Sequence, residues 1–345
     1  MKYLDFSIIP YHWPVEINFF RIIVIRKNPP TMEKMKAVVI DKSNRPDKLS
    51  YCDVEKPVPS ENEVLLKIHA VSVNAADYRS LQMGIIPKKK ILGADVAGTV
   101  ESVGKDIKLF KVGDEVFGDL GSFGFGGFAE YTVAPEIALV HKPAKLSFEE
   151  SAALPMSSLT ALQALRNKGA LQKGHQVLIY GGGGGVGTFA IQLAKYFGAE
   201  TTVVCSTKNV AQSISLGADT VLDYTQQDAL KTNKHYDLIL AINGNRRLLD
   251  YKRALKPHGT YVMVGGSLPQ IFKSLLFGWF LSFGSKKMRT LAAKANQNDL
   301  EFIAKLAEEG VIKPVIDRYF SLDKVAEAMS QLRKGHSSGK VVIQI

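Results

Sequence analysis

Cysteine is scarce in this chain: two in 345 residues, Cys52 and Cys205. They stand far apart, in or beside strand-like stretches. That excludes a disulfide framework or a cysteine-built metal site and suits a reducing compartment, so a cytoplasmic location is expected. Long apolar runs are missing as well, and none approaches the ~20 residues of a membrane span. Residues 6–25 are rich in aromatics and isoleucine but are broken by Pro10, Pro14, Glu16 and Arg21. The beginning also lacks the cationic start, apolar core and small-residue cleavage site, in that order, of a signal peptide. A clean β pattern opens only at Met35, so residues 1–34 read as an extension, loosely attached or preceding a natural start at Met32 or Met35. Nucleic-acid motifs are absent too. The net charge is +11, but the only tight basic run is Lys88-Lys89-Lys90. The expectation is therefore no nucleic-acid partner and no membrane contact, but a basic surface that attracts a phosphorylated small molecule.

What is present is ordinary globular composition, 46% hydrophobic and 22% charged, in a chain long enough for two domains. One stretch carries most of the information. An apolar strand-like run, Gln176 to Tyr180, meets a helix-like run, Thr188 to Phe197, through five consecutive glycines. Within it, Gly182-x-Gly184-x-x-Gly187 fits the dinucleotide fingerprint. The first Gly allows a tight turn, the second lets the backbone approach a diphosphate, and the third lets helix pack on strand. Gly185 and Val186 then lie at the helix N-terminus, where free N–H groups point at the anion.

The choice of nicotinamide cofactor is read further on. An acid that grips the ribose 2′-hydroxyl is expected about twenty residues past the fingerprint. The chain has instead Ser206-Thr207-Lys208-Asn209. Two hydroxyls, a cation and an amide suit a 2′-phosphate, which an acid would repel. NADPH is the expected cofactor, with Ser206, Thr207 and Lys208 at its phosphate and Tyr224 flanking the same pocket. Lys208 as an ordinary solvated lysine is the alternative.

From Met35 to about Leu154 short strands alternate with Gly and Pro turns, which reads as a small barrel-like β domain. The strands expected are Val64–Val71, Val96–Val103, Glu115–Phe117 and Phe128–Val133. A helix at Ser158–Arg166 leads into strands at Val177–Tyr180, Thr202–Cys205, Thr220–Leu222, Asp237–Ala241 and Thr260–Val264, separated by helices. That alternation implies a parallel sheet with right-handed crossovers. Helices at Asp299–Glu309 and Leu322–Arg333 flank a strand at Val315–Phe320. A last apolar strand, Lys340–Ile345, is expected to return to the first domain.

These motifs together resemble the medium-chain dehydrogenase/reductase superfamily, in its zinc-free quinone oxidoreductase branch. The resemblance is carried by Pro87-x-x-x-Ile91-Leu92-Gly93-x-Asp95-x-Ala97-Gly98-x-Val100, by Lys111-Val112-Gly113-Asp114-Glu115-Val116 and by Gly127-Phe128-Ala129-Glu130-Tyr131. Ala152-Ala153-Leu154-Pro155, Thr160-Ala161, the glycine loop and Gly339-Lys340-Val341-Val342 complete it. It implies an α/β fold, with a GroES-like β-barrel catalytic domain and a Rossmann doubly wound parallel-sheet nucleotide domain. The domains would run as 35–157 catalytic, 158–285 nucleotide-binding and 286–345 back in the catalytic domain, as a homodimer. The active site would lie in the cleft between them. Zinc-dependent members carry a Cys where this chain has Ser72-Val73-Asn74, and Gly-His-Glu where it has Gly93-Ala94-Asp95. They also carry a four-cysteine lobe where this chain runs from Gly118 to Gly127 without cysteine. No metal is expected. His69 and His141 read as structural.

By the same resemblance Asn74, Asp77 and Tyr78 border the substrate cleft as catalytic candidates. Asn74 and Asp77 are also good helix caps, the preferred reading for both. Tyr78 stays open between packing and polarising a carbonyl. Thr160, Asn243, Gly265, Gly266 and Ser267 are expected to run past the cofactor. The apolar segment 271–283 reads as a lid or subunit contact before a membrane-surface segment. The function expected is hydride transfer from NADPH to a quinone or an α,β-unsaturated carbonyl. A dedicated enone or alkenal C=C reductase, or a non-catalytic NADPH-binding regulatory protein, are the alternatives.

Overall fold

The structure, a computed structural model, describes residues 33–41, 49–244, 246–266, 270–272, 284–335 and 337–345, with positions 274, 276, 278 and 282 between. The expectations for residues 1–32 and for Ser267, and most of those for 271–283, lie outside the described residues.

The first half is β-rich. Strands β1 (Lys34–Ile40) and β2 (Leu49–Glu55) pair as an antiparallel ribbon. β3 (Glu63–Val73), β4 (Asp95–Val103), β5 (Glu115–Asp119), β6 (Tyr131–Pro135) and β7 (Leu139–His141) belong to a seven-stranded sheet. The chain's last two strands, β14 (Ile316–Ser321) and β15 (Lys340–Gln344), complete that sheet in the order β14-β15-β3-β4-β5-β7, with β6 on β3. β15 does return to the first sheet, as expected, pairing antiparallel with β3 from Val341 opposite Val73 to Gln344 opposite Ala70. Helix α1 (Ala75–Gln82) links β3 to β4.

The second sheet is wholly parallel and has six strands. They are β8 (Gln176–Tyr180), β9 (Glu200–Cys205), β10 (Thr220–Asp223), β11 (Tyr236–Ala241), β12 (Leu255–Met263) and β13 (Lys287–Thr290), ordered β10-β9-β8-β11-β12-β13. Counted from β8, this is the 3-2-1-4-5-6 order of a dinucleotide-binding sheet. Its central strands are buried on both faces, with Val177, Leu178 and Ile179 fully inaccessible, because helices cover each side. The helices before and within it are α2 (Phe148–Ala152), α3 (Pro155–Leu162), α4 (Gly185–Tyr196), α5 (Val210–Ser215) and α6 (Leu248–Arg253). After it come α7 (Gln297–Glu308) and α8 (Val325–Arg333). One hydrophobic core runs through both sheets, joining Ala70, Ala97 and Phe117 of the first to Ile179, Phe189 and Leu240 of the second.

The structure departs from the pattern reading at three places. The helix expected from Ser158 begins at Pro155, whose fixed φ suits a first helical position, and ends in a π-helical turn, Gln163–Lys168. The parallel sheet runs past the expected return at 286, because β13 pairs with β12. The strand expected at 128–133 starts later, at Tyr131, since Phe128 accepts from the Val38 N–H of β1 and donates to the Leu92 carbonyl, while the Glu130 N–H goes to the Lys36 carbonyl of β1. No helix among the described residues is long and apolar enough to cross a membrane.

Candidate active site

β8 and β11 lie side by side, and their onward connections leave in opposite directions. A cleft of about 1110 Å³ opens at that switch point, where open α/β sheets bind ligands. Its floor is the glycine loop. A Cβ on Gly182 would sit 2.1 Å from the Val203 side chain, and one on Gly187 2.3 Å from the Gly181 carbonyl oxygen. Both glycines are therefore demanded by packing beneath the loop. Gly184 is different: no atom lies within 4 Å of where its Cβ would be. It is the N-cap of α4, in extended conformation and with no side-chain cap. The first-turn N–H groups of α4 thus meet the cleft at Gly184, Gly185 and Val186, a cradle of the kind that takes a diphosphate.

At one end of the cleft, Ser206, Thr207, Lys208 and Tyr224 form the rim. Thr207 is also engaged within the protein. Its hydroxyl donates to Asp223 Oδ2 at 2.6 Å, so its single proton is spent on a carboxylate and is not offered to a phosphate. That bond also holds the Asp223 carboxyl below its usual range. Arg246, which the sequence did not single out, lines the cleft and donates to the Tyr180 hydroxyl at 3.0 Å. At the other end Asn243, Gly265 and Gly266 face Tyr78 and Arg79 of α1. The Arg79 guanidinium crosses the cleft to the Gly266 carbonyl at 2.7 Å, tying α1 to the loop after β12. Thr160 borders the cleft while its hydroxyl bonds back to the Met156 carbonyl at 2.6 Å.

Between these ends lies a buried polar cluster. Lys340, at the start of β15, is 3% exposed. Its ammonium donates to Asn74 Oδ1 at 2.6 Å, Ser157 Oγ at 3.1 Å and Asp95 Oδ2 at 3.2 Å. Asp95 Oδ2 also accepts from Asn74 Nδ2 at 2.8 Å and from the Ser72 hydroxyl at 3.0 Å, while Oδ1 takes the Met156 N–H at 3.0 Å. An isolated charge at such burial would be prohibitive, whereas this one has its counter-charge and a full set of acceptors.

Of the three catalytic candidates, the structure brings only two to the cleft. Asn74 and Tyr78 line it; Asp77 is fully buried beneath. Asp77 accepts the Asn74 N–H at 2.7 Å and the Gly93 N–H at 3.1 Å, so it starts α1 and pins the Gly93 loop. Burial pushes its carboxyl up to about 7 against those two bonds. Asn74 is the N-cap of α1, but its amide is committed to Lys340, Asp95 and the Ser72 carbonyl. His69 meets Thr99 Oγ1 at 3.0 Å and packs on Phe148, away from the cleft.

With this geometry established, known proteins can be compared. Residues 60–144 match the alcohol dehydrogenase GroES-like domain and residues 216–343 match a family described as zinc-binding dehydrogenase. The chain is 37% identical over 311 residues to quinone-oxidoreductase QR1, chloroplastic, of Triphysaria versicolor, covering 86% of this chain and 94% of that one. It is 34% identical over 306 residues to 2-methylene-furan-3-one reductase of Solanum lycopersicum, covering 84% and 74%. The solved quinone oxidoreductase of Coxiella burnetii superposes with a TM-score of 0.81 at 32% identity, over 91% of this chain and all of that one. The chain belongs to the medium-chain dehydrogenase/reductase superfamily, in its quinone oxidoreductase-like branch. As a member of that superfamily it is an oxidoreductase that uses a nicotinamide cofactor. The bare N-terminus of α4 fits that cofactor's diphosphate. A zinc ion is not fitted in the same way: among the described residues no three His, Cys, Asp or Glu side chains converge.

Asp95, Lys340 and Ser157 were quoted or passed over in the sequence without being given a role. The signal was there for one of them, Asp95, a charge standing inside an apolar run; Lys340 only opens such a run after Ser337-Ser338-Gly339, and nothing in the sequence paired the two.

Proposed function

We propose that the protein passes hydride from NADPH to quinones or α,β-unsaturated carbonyl compounds, and does so without zinc. The observation that carries this reading is one continuous cleft. It runs from the uncapped N-terminus of α4 to a wall where Asn74 and Asp95 are bridged by the Lys340 ammonium. Those are the two stretches in which zinc-dependent members carry metal ligands. Here one carboxylate and one amide remain, and a cation already stands between them, so a divalent ion would meet repulsion and too few donors. No step is routed through zinc.

When bound, NADPH supplies the hydride. The α4 N–H groups would hold its diphosphate, and Lys208 with Ser206 its 2′-phosphate. Quinones and enones accept hydride without a strong Lewis acid, because conjugation spreads the incoming charge. The hydroxyl of Tyr78 would orient the acceptor's carbonyl, with the Arg79–Gly266 bond fixing the α1 side of the cleft. The names of the chloroplast and tomato relatives support both acceptor classes. A cytoplasmic location accompanies this reading, supported by two free cysteines.

The test is NADPH oxidation against a panel of quinones and enones. Turnover with either class is expected. Tight NADPH binding without oxidation by any acceptor would favour a regulatory cofactor-binding protein instead.

A further inference from the structure

Reduction of an enone needs a proton after the hydride, and few groups on this cleft wall have one to give. Asn74 has its amide hydrogens on Asp95 and on the Ser72 carbonyl, and its backbone N–H on Asp77. Asp77 does not reach the cleft. Ser157, in the first turn of α3, does. Its oxygen accepts from the Lys340 ammonium at 3.1 Å, and among the described residues nothing accepts its own proton. A hydroxyl that accepts from a cation is polarised toward donation. Its place is also fixed. A Cβ on Gly185 would lie 3.1 Å from Ser157 Oγ and 2.7 Å from Lys340 Cδ, so the pair sits directly against the first residue of α4.

We infer that Ser157 is the proton donor to the acceptor's oxygen and that Lys340 recharges it, an inference that rests on the function proposed above. Hydride adds to the β-carbon of the enone, the C=C electron pair becomes a bond between the α-carbon and the carbonyl carbon, and the C=O π pair moves onto the oxygen. The Ser157 proton passes to that oxygen, and a Lys340 N–H proton passes to Ser157 Oγ. The lysine amine is reprotonated from the bulk solvent, and the enol released tautomerises to the ketone with no net proton uptake, so each acceptor consumes one hydride and one proton. Asp95, 3.2 Å from Lys340, supplies the counter-charge of the ammonium. Lys340 thereby puts a fixed positive charge, and a proton, at the wall where zinc-dependent members use a metal. Tyr78 offers no comparable route: the cation near its ring is Arg79, 5.8 Å from the centroid, and a guanidinium does not release a proton.

The decisive variants are Ser157→Ala, Lys340→Met and the two combined. With an enone, Ser157→Ala is expected to lower kcat on the order of 100-fold, the scale of a lost general acid, and to leave the NADPH dissociation constant unchanged. The solvent isotope effect on kcat should rise as proton transfer becomes limiting. The double variant should be no slower than the slower single one, because members of one relay do not add. Should Lys340→Met fail to fold with Asp95 unpaired, Lys340→Met/Asp95→Asn removes both charges, and it should recover the thermal midpoint without recovering kcat. An unchanged kcat and isotope effect in Ser157→Ala would overturn the inference. So would weaker NADPH binding at unchanged kcat, which would make the hydroxyl a cofactor contact, and so would independent, multiplying losses. A wild-type protein inactive with every acceptor defeats the underlying function; an active one indifferent to Ser157→Ala defeats only this assignment.

Discussion

Asp95 and Asp119 are register partners on the neighbouring antiparallel strands β4 and β5, and both are buried. Their surroundings divide the charge between them. Asp95 has Lys340 at 3.2 Å, the Met156 N–H and two side-chain donors. The hydrogen bond found for Asp119 comes from the Gly121 N–H at 2.8 Å and occupies one oxygen, leaving the other able to carry a proton. Burial, then the Asp95 charge opposite, pushes the Asp119 carboxyl up to about 7.

A pH dependence of stability follows. A carboxyl raised in the folded state binds its proton more tightly there than in the unfolded chain, where it titrates near its ordinary value of about 4. Its contribution is therefore complete below that value and is lost as pH rises toward about 7. Asp119→Asn, which keeps an acceptor for Gly121, is expected to flatten the wild-type loss over this window by up to about 1.4 kcal/mol per pH unit. His69 works in the opposite sense, because burial lowers its pKa, so the comparison must be variant against wild type. Chemical unfolding at several pH values measures it; parallel curves for the two proteins would refute the assignment.

How much of this was legible in the sequence depends on the range of the interaction. The parallel sheet announced itself because Val177, Leu178 and Ile179 are apolar in succession, as a doubly covered strand must be. β13 did not, since Lys287-Met288-Arg289-Thr290 is four mixed residues at a sheet edge and carries no period. The glycine loop was legible because the close approaches of Gly182 and Gly187 admit no other residue. The Lys340 cluster was not, because its partners Asp95 and Ser157 are 245 and 183 residues away along the chain. The bond from Thr207 to Asp223, a strand-end acid sixteen residues on, was not legible either.

Cofactor preference can be tested at Lys208. With the Thr207 proton spent, the Lys208 ammonium is the main rim group suited to a 2′-phosphate. It is exposed, so the lower end of a charge-assisted bond applies, about 1.5 kcal/mol or roughly tenfold. Lys208→Ala should weaken NADPH binding by that factor and leave NADH unaffected. Equal losses for both, by fluorescence titration, would remove the case for NADPH.

The two kinds of glycine in the loop should separate folding from binding. Gly187→Ala places a methyl against the Gly181 carbonyl and is expected to cost about 1–3 kcal/mol of stability. Gly184→Ala meets nothing and has an ordinary φ of −90°, so the thermal midpoint should hold. Its methyl nevertheless stands at the mouth of α4, and NADPH affinity should fall by at least about tenfold as helix N–H groups lose contact with phosphate. A Gly184→Ala protein that binds NADPH normally would move the diphosphate elsewhere.

Metal content is a direct check on the wall of the cleft. The purified protein should hold no stoichiometric zinc and should keep its turnover in chelator, because Lys340 bridges Asn74 and Asp95 at that wall and among the described residues no three His, Cys, Asp or Glu side chains converge. One zinc per chain by elemental analysis, removable with loss of activity, would overturn the zinc-free reading.

Tyr78 distinguishes orientation from proton delivery. Its ring is half-buried on α1, packed on the β-rich core, and it borders the cleft. If its hydroxyl only steadies the carbonyl, Tyr78→Phe removes one neutral hydrogen bond, worth about 1 kcal/mol, and turnover with an enone should fall by less than about tenfold. Loss of a general acid would instead cost on the order of 100-fold or more. A quinone, which spreads the incoming charge over its ring, should suffer less than an enone in either case. Steady-state kinetics with both acceptors therefore decide the matter. A loss below about tenfold with the enone leaves proton delivery to Ser157 and Lys340, whereas a loss on the order of 100-fold or more with enones would make Tyr78 the donor.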